Sequence, residues 1–163
     1  LLSWVGSGVT MKNIVINAAE GRIDRVFKNG SVRTNVGTVR GTGHIHLKVN
    51  GKLVQAHRLI YAFVHGPIPS CMEIDHINGN RTDNRIDNLR AVTRGGNMQN
   101  QRRAHANNTS GLLGVYYKPK NKKWAAQIQA NKKRMNLGLF ETAEEAHTAY
   151  LKAKRELHDT CTI

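Results

Sequence analysis

The sequence predicts an α+β chain in which short strand clusters are each followed by a helix, and three observations lead there. Short runs alternate apolar and polar residues, as in His44-Ile45-His46-Leu47-Lys48-Val49, and turn residues such as Asn50-Gly51 separate them. Helical spacing is confined to a few segments, of which the last is the clearest. The 163 residues (18.2 kDa) are 39% hydrophobic and only 6% aromatic, enough for one ordinary domain or two very small ones but not for a large core.

From the N-terminus, Ile14 to Phe27 and Val32 to Val39 read as short strands broken by Gly21 and Asn29-Gly30. After the His44–Val49 strand, Asn50-Gly51 turns the chain into a partner strand over Lys52 to Gln55. A short helix is expected from Ala56 to Val64, closed by Gly66-Pro67. Met72 to His76 forms a strand, Asn78 to Asp87 a polar loop, and Leu89 to Val92 a second strand. Thr93 then suits the N-cap of a helix over Arg94 to Arg103. The stretch from His105 to Gly111 reads as a linker, and the remaining fifty residues hold three strand candidates and a closing helix.

Charge narrows the function classes. Twenty-five Lys and Arg stand against 11 Asp and Glu, a net charge of +14 with a sequence pI near 10.3, which points to a polyanionic partner, either nucleic acid or an acidic membrane surface. No run of 18 apolar residues exists, which excludes a helical membrane span. The opening Leu1-Leu2-Ser3-Trp4-Val5 lacks a basic leader and is a poor signal peptide, and Met11 is a candidate initiator. Two cysteines, Cys71 and Cys161, are too few for a disulfide framework or a four-cysteine zinc site, so a reducing cytosolic compartment is expected.

The 53 residues from Asn88 to Phe140 carry 11 Lys and Arg and no carboxylate. A solvated basic face would account for that block. Its strand-like alternation favours a surface that lies along phosphates. Membrane binding would call for a basic amphipathic helix with a bulky apolar face, whereas these basic residues sit mainly in loops and strands.

Asp75-His76 at a strand end, followed by a polar loop, a strand and a helix bearing Asn97, has the chemistry of phosphodiester cleavage. That reaction needs a divalent cation to neutralise developing charge and a base to deprotonate water. Asp75 offers a hard oxygen ligand, Asn97 an amide oxygen, and His76 a proton acceptor near neutral pH. An Asp-His dipeptide alone is common and is also read as a satisfied surface pair.

The run His57-Arg58-Leu59, Ile74-Asp75-His76-Ile77-Asn78-Gly79-Asn80, Thr82-Asp83-Asn84-Arg85-Ile86-Asp87-Asn88-Leu89-Arg90, then Thr93 and Asn97 resembles the HNH endonuclease family, in particular its phage and intron-encoded homing branch. The resemblance covers roughly residues 40 to 100. It implies a ββα-metal fold with one divalent ion, Asp75 as metal ligand, His76 as general base, Asn97 as the ligand on the helix, and Asn88 tying down the loop and fixing the histidine. Many relatives carry a final His where this chain has Asn97. That departure favours Mg²⁺ or Mn²⁺, with no zinc expected. His57, Arg58 and His65 admit two readings: a site histidine and a phosphate contact, or helix packing and surface exposure. His44, His46, His105, His147 and His158 fit no ligand pattern and are expected to be structural or solvent-facing.

In the C-terminal part, strand alternation over Val115–Lys118, Trp124–Gln129 and Arg134–Phe140 sorts residues onto two faces. Val115, Tyr117, Trp124, Ala126, Ile128, Met135, Leu137 and Leu139 fall on one; Tyr116, Lys118, Gln127, Gln129, Arg134 and Asn136 on the other. Thr142-Ala143-Glu144-Glu145 is a capping box, and Ala146, Ala149, Tyr150, Ala153 and Leu157 form the helical stripe that covers the apolar face. The polar face is either an ordinary solvated surface or a row of amides and Arg able to read base edges in the major groove.

Gly114-Val115, Trp124 to Ile128, Leu137 to Phe140, Thr142, Glu144 to Ala146 and Ala149-Tyr150 are similar to the AP-two/ERF DNA-binding domain over about 45 residues. That resemblance implies a three-stranded antiparallel sheet packed on one helix and laid in the major groove. Positions matching its DNA-facing residues are Tyr116, Lys118, Gln127, Gln129, Arg134 and Asn136, and Lys122 joins them as a basic contact.

Together the resemblances imply a nuclease module over residues 1–103 (core about 56–103), a linker over 104–111 and a DNA-binding domain over 112–163. The expected function is metal-dependent hydrolysis of DNA phosphodiesters by a homing-type nicking or site-selective endonuclease. Double-stranded DNA is the partner, a membrane is not, a monomer is expected, and the place of work is the cytoplasm of a bacterial or phage-infected cell. The alternative is a non-catalytic, sequence-specific DNA-binding regulator with a vestigial nuclease site. An RNA-binding module would call for clustered exposed aromatics to stack unpaired bases, and here Tyr116 stands alone on the polar face.

Overall fold

The structure is a computed structural model that describes residues 3–5, 8–11, 13–102, 104, 107–130, 133–158 and 160–162, with the backbone alone for 3–5 and 8–11. The reading of His105 as a structural or surface residue, and part of the expected linker, lie outside the described residues. The chain divides into two compact units, Leu1–Arg94 and Gly95–Ile163. The class is α+β, with antiparallel sheets in both units.

In the first unit, β1 (Ser3–Val5), β2 (Gly8–Met11), β3 (Ile14–Asn17), β4 (Arg22–Val26) and β5 (Val32–Arg33) form an antiparallel meander. The first two strands extend the sheet beyond the sequence-based expectation. The expected strand from Val32 to Val39 is interrupted: β5 ends at Arg33, and β6 (Thr38–Val39) belongs to another sheet. Asn35 at φ +50° and Gly37 at φ +144° cause the break, since neither lies in the extended region. The Asn35 N–H donates to Asp24 Oδ1 at 2.8 Å, which holds the bend.

The second sheet pairs β6 with β7 (Ile45–Val49) and β7 with β8 (Lys52–Gln55). Asn50 (φ +48°) and Gly51 (φ +79°) both take positive φ, the requirement of a type I′ turn. α1 (Ala56–His65) follows and ends at Gly66, whose N–H donates to the Ala62 carbonyl at 3.0 Å. β9 (Met72–His76) and β10 (Leu89–Thr93) form an antiparallel pair. Ile14, Ile16, Ile23, Leu47, Ala56, Ile60, Ile74 and Leu89 bury together, so that β3, β4, β7, α1, β9 and β10 share one core. Each fully buried Ile contributes on the order of 1.5–3 kcal/mol.

α2 (Arg94–Gln99) is a helix of 6 residues, not the ten-residue helix expected to Arg103. Gly95, Gly96 and Asn97 have low helix propensity and leave little to propagate it.

In the second unit, β11 (Val115–Lys118), β12 (Lys123–Ala130) and β13 (Lys133–Phe140) form an antiparallel sheet, and α3 (Ala143–Leu157) packs on it. Val115, Ala126, Ile128, Ala146, Tyr150 and Ala153 make the core between them. The Thr142–Glu145 capping box is formed in both directions. Gly114 (φ +71°) lies so close to the Tyr150 ring that a Cβ there would sit 2.0 Å from a ring carbon.

A bulge changes one face assignment. Ala126 pairs with Gly138 but Gln127 pairs with Asn136, which leaves Leu137 as the extra residue on β13. Gly138 takes φ +131° there. Leu139 therefore moves from the expected apolar face to the open one, opposite Ala125, while Phe140 takes its place against the core.

Candidate functional site

β9 and β10 set the first part of the site. Their register places Arg90 directly opposite Asp75 and Leu89 opposite His76. Arg90 donates to Asp75 Oδ2 from Nε at 3.0 Å and from Nη2 at 2.8 Å. Asp75 and His76 are both buried, although strand alternation points one of them away from the Ile74 side of the core.

The loop between the strands is rich in Asn and Asp, whose side chains bond nearby backbone. Asn80 Oδ1 accepts the Thr82 N–H at 3.1 Å, and Asn78 Oδ1 accepts the Asn80 N–H at 2.8 Å. Asn88 ties the two ends together: its Oδ1 accepts the Asn78 N–H at 2.9 Å and its Nδ2 donates to the Asp83 carbonyl at 2.7 Å. The Arg85 guanidinium, bonded to Asp83, holds that carboxyl well below its ordinary value, at about 2.

This loop delivers Asn84 to His76. His76 Nε2 lies 3.0 Å from Asn84 Oδ1, and Asn84 is 2% exposed. Two further imidazoles surround the ring. His57, from α1, meets His76 edge-on at 5.0 Å between centroids; His44, from the residue before β7, lies 5.6 Å from His76 and 4.8 Å from His57. Burial pulls His57 down to about 3, with the neighbouring histidines adding to the shift, and pulls His44 down to about 4, with Arg81 adding next. Burial also lowers His76, while the Asn84 bond and the Asp75 carboxylate push the other way. His76 is therefore neutral at pH 7, the form that accepts a proton.

Asn84 and His44 carried no sequence signal as site residues. His44 is separated from His76 by two strands and a helix in sequence, and only the packing of β7, α1 and β9 brings them together. His57 sits in the site, buried at 3% exposure with no hydrogen-bond partner for Nδ1 among the described residues. Arg58 is half-buried, and His65 stacks near Tyr61 at the end of α1. His46 Nδ1 bonds the His44 carbonyl, His147 bonds the Leu113 carbonyl and His158 the Gln129 carbonyl, all structural contacts.

Asn97 lies on α2, half-buried. Among the described residues no group of three or more His, Cys, Asp or Glu is arranged to hold a metal ion. Asp75 belongs to the first unit and Asn97 to the second; a carboxylate and an amide oxygen are each hard donors, the type Mg²⁺ takes.

In the second unit, the register places Tyr116, Lys118, Gln127, Gln129, Arg134 and Asn136 on the one face of the sheet turned from α3, with Gln127 opposite Asn136 and Gln129 opposite Arg134. Lys122 lies off the sheet, at φ +51° after a single 3₁₀ turn over Pro119–Asn121. Leu139, 40% exposed, adds an apolar side chain to this face, with the fully buried Ala125 between it and Tyr116.

Comparison with known proteins accords with both units. The HNH endonuclease family profile matches residues 54–99 and the AP2 domain profile residues 110–159. The chain is similar to "Protein 3.8" of Escherichia phage T7, with 32% identity over 107 residues, 66% of this chain and 87% of that protein. It is also similar to the ethylene-responsive transcription factor ERN1 of Medicago truncatula, with 43% identity over 65 residues, 39% of this chain but only 24% of that protein. A solved structure described as "DNA binding and cleavage by the HNH homing endonuclease I-HmuI" aligns at 28% identity and a TM-score of 0.43, over 55% of this chain and 52% of that one. The chain belongs to the HNH endonuclease family, with an AP2 domain following the HNH segment.

Proposed function

We propose that this protein is a metal-dependent endonuclease that hydrolyses DNA phosphodiesters, of the homing type that nicks or cuts selectively. The observation that carries the reading is the Asp75-His76 pair at the end of β9, with Asp75 gripped by Arg90 and His76 bonded to Asn84. A buried, neutral histidine beside a carboxylate is what general-base attack by water needs. Asp75 and Asn97 would hold one Mg²⁺ or Mn²⁺ ion, which when bound supplies neutralisation of charge at the scissile phosphate. Asn88 keeps the loop closed around His76 through its two backbone bonds.

Residues 1–103 form the nuclease module in this reading, 104–111 the linker and 112–163 the DNA-reading domain. Tyr116, Lys118, Lys122, Gln127, Gln129, Arg134 and Asn136 contact duplex DNA: the amides and Arg134 at base edges, the lysines at phosphates. The net charge of +14 supports a polyanionic partner. In this reading the protein works as a monomer on double-stranded DNA, not at a membrane, in the cytoplasm of a bacterial or phage-infected cell. Among the described residues no helix is long and apolar enough to cross a membrane.

Incubation with supercoiled plasmid and Mg²⁺ tests the reading. Conversion to open circles identifies a nickase, and linear product a double-strand cutter. No conversion with Mg²⁺ or Mn²⁺, across plasmids that include the protein's own genomic locus, would favour the non-catalytic DNA-binding alternative.

A further inference from the structure

We propose that Asn84 is a positioning residue that sets the tautomer of His76 and leaves Nδ1 as the proton acceptor; the inference rests on the nuclease reading of this site. The geometry is specific. Asn84 Oδ1 lies 3.0 Å from His76 Nε2, and an amide oxygen only accepts. Nε2 must then carry the hydrogen of the neutral ring, and Nδ1 keeps the lone pair.

Asn84 is buried for a bond and not for packing. It is 2% exposed, and its Nδ2 has no hydrogen-bond partner among the described residues. Burying a half-satisfied amide is unfavourable, so a hydrophobic residue would serve stability better at this position. What the amide provides is an acceptor aimed at His76.

The backbone under Asn84 is held from two sides. Asn88 staples the loop from within. From outside, the turn between β3 and β4 presses on it: the Ile86 N–H donates to the Ala18 carbonyl at 2.9 Å. A Cβ at Gly21 would meet the Asn84 carbonyl carbon at 2.4 Å and the Arg85 nitrogen at 2.3 Å. Only glycine allows that approach, and Gly21 also takes φ +65°. The N-terminal sheet thus fixes the height of the loop, the loop fixes Asn84, and Asn84 fixes the imidazole.

The test is a long-range ¹H–¹⁵N spectrum of the full chain with ¹⁵N-labelled histidine, the His76 signals being those missing from His76→Ala. The neutral His76 ring of the wild type is expected as the Nε2–H form. Asn84→Asp keeps an accepting oxygen and is expected to keep that form. Asn84→Leu removes it and is expected to give the Nδ1–H form or a mixture, with cleavage slowed roughly 10- to 100-fold at unchanged KM. An Nδ1–H ring in the wild type, or an unchanged Nε2–H ring in folded Asn84→Leu, would overturn the proposal. Should Asn84→Leu not fold, the wild-type and Asn84→Asp spectra decide. A wild type with the Nε2–H ring but no cleavage under any ion would sink the nuclease reading instead, so the two failures are separable.

Discussion

Arg90 grips a single oxygen of Asp75 through two nitrogens, Nε at 3.0 Å and Nη2 at 2.8 Å, from the position directly across the β9–β10 ladder. The carboxylate is 8% exposed and the guanidinium side chain 25%. The pair fixes the carboxylate's plane and offsets its burial.

Arg90→Met should leave that buried carboxylate without its guanidinium. Removing one partner of a largely buried pair costs about 3–5 kcal/mol, and the partial exposure of Arg90 places this case near or below the lower end. Urea unfolding in metal-free buffer is expected to show the loss. Arg90→Lys should restore part of the charge but not the two-nitrogen grip.

The histidine cluster predicts acid sensitivity in the same unit. Burial lowers His57 to about 3 and His44 to about 4 in the folded chain, against about 6.5 unfolded. The unfolded chain therefore binds more protons below pH 6.5. Stability is fully present above that value and falls as pH drops, until the folded pKa values are passed. His57 alone accounts for a slope of about 1.4 kcal/mol per pH unit between roughly pH 6 and 4. Unfolding midpoints across this range are expected to fall less steeply in His57→Gln, which has no proton to take up.

Gly114→Ala should destabilise the second unit. The added methyl would collide with the Tyr150 ring, and φ +71° is unfavourable for any L side chain. A loss of about 2–4 kcal/mol is expected, seen as a lower thermal midpoint. Tyr150→Leu, which opens space, should soften the effect in the double variant.

On the open sheet face, single changes should separate affinity from discrimination. Gln127→Ala, Gln129→Ala and Arg134→Ala are each expected to cost roughly 1–3 kcal/mol of discrimination between target and scrambled duplex. Lys122→Ala should weaken binding to both alike and flatten the slope of log affinity against log salt by about 0.9. Titrations at two salt concentrations read both quantities.

Much of this arrangement was legible in the residues, and the exceptions have identifiable causes. Alternation and turn chemistry located β7, β8, β9 and β10 to within a residue, because Asn50-Gly51 and the polar loop mark their ends. Val32 to Val39 looked like one strand because alternation does not report that Asn35 and Gly37 take positive φ. Leu139 left the face expected of it because a bulge shifts the period of two by one residue, which no pattern of apolar residues reveals. The chemistry of Asp75 and His76 was visible in residue type and spacing. His57 was open between a site histidine and helix packing, and its place beside His76 settles that for the site. Asn84 and His44 were not visible, since Asn84 reaches His76 only through the fold of its loop and His44 only through contacts between segments far apart in sequence. Two glycines shortened α2 where Thr93 had suggested a longer helix.

In the proposed mechanism His76 is the base of a DNA-cleaving site. Cleavage rate and duplex affinity of His76→Ala, measured side by side with the wild type in Mg²⁺, test it most directly. Loss of a general base slows reactions roughly 10²- to 10⁴-fold, while affinity rests on many phosphate contacts elsewhere, so the rate should fall by that factor at nearly unchanged Kd. Cleavage by His76→Ala at the parental rate would remove His76 from that role.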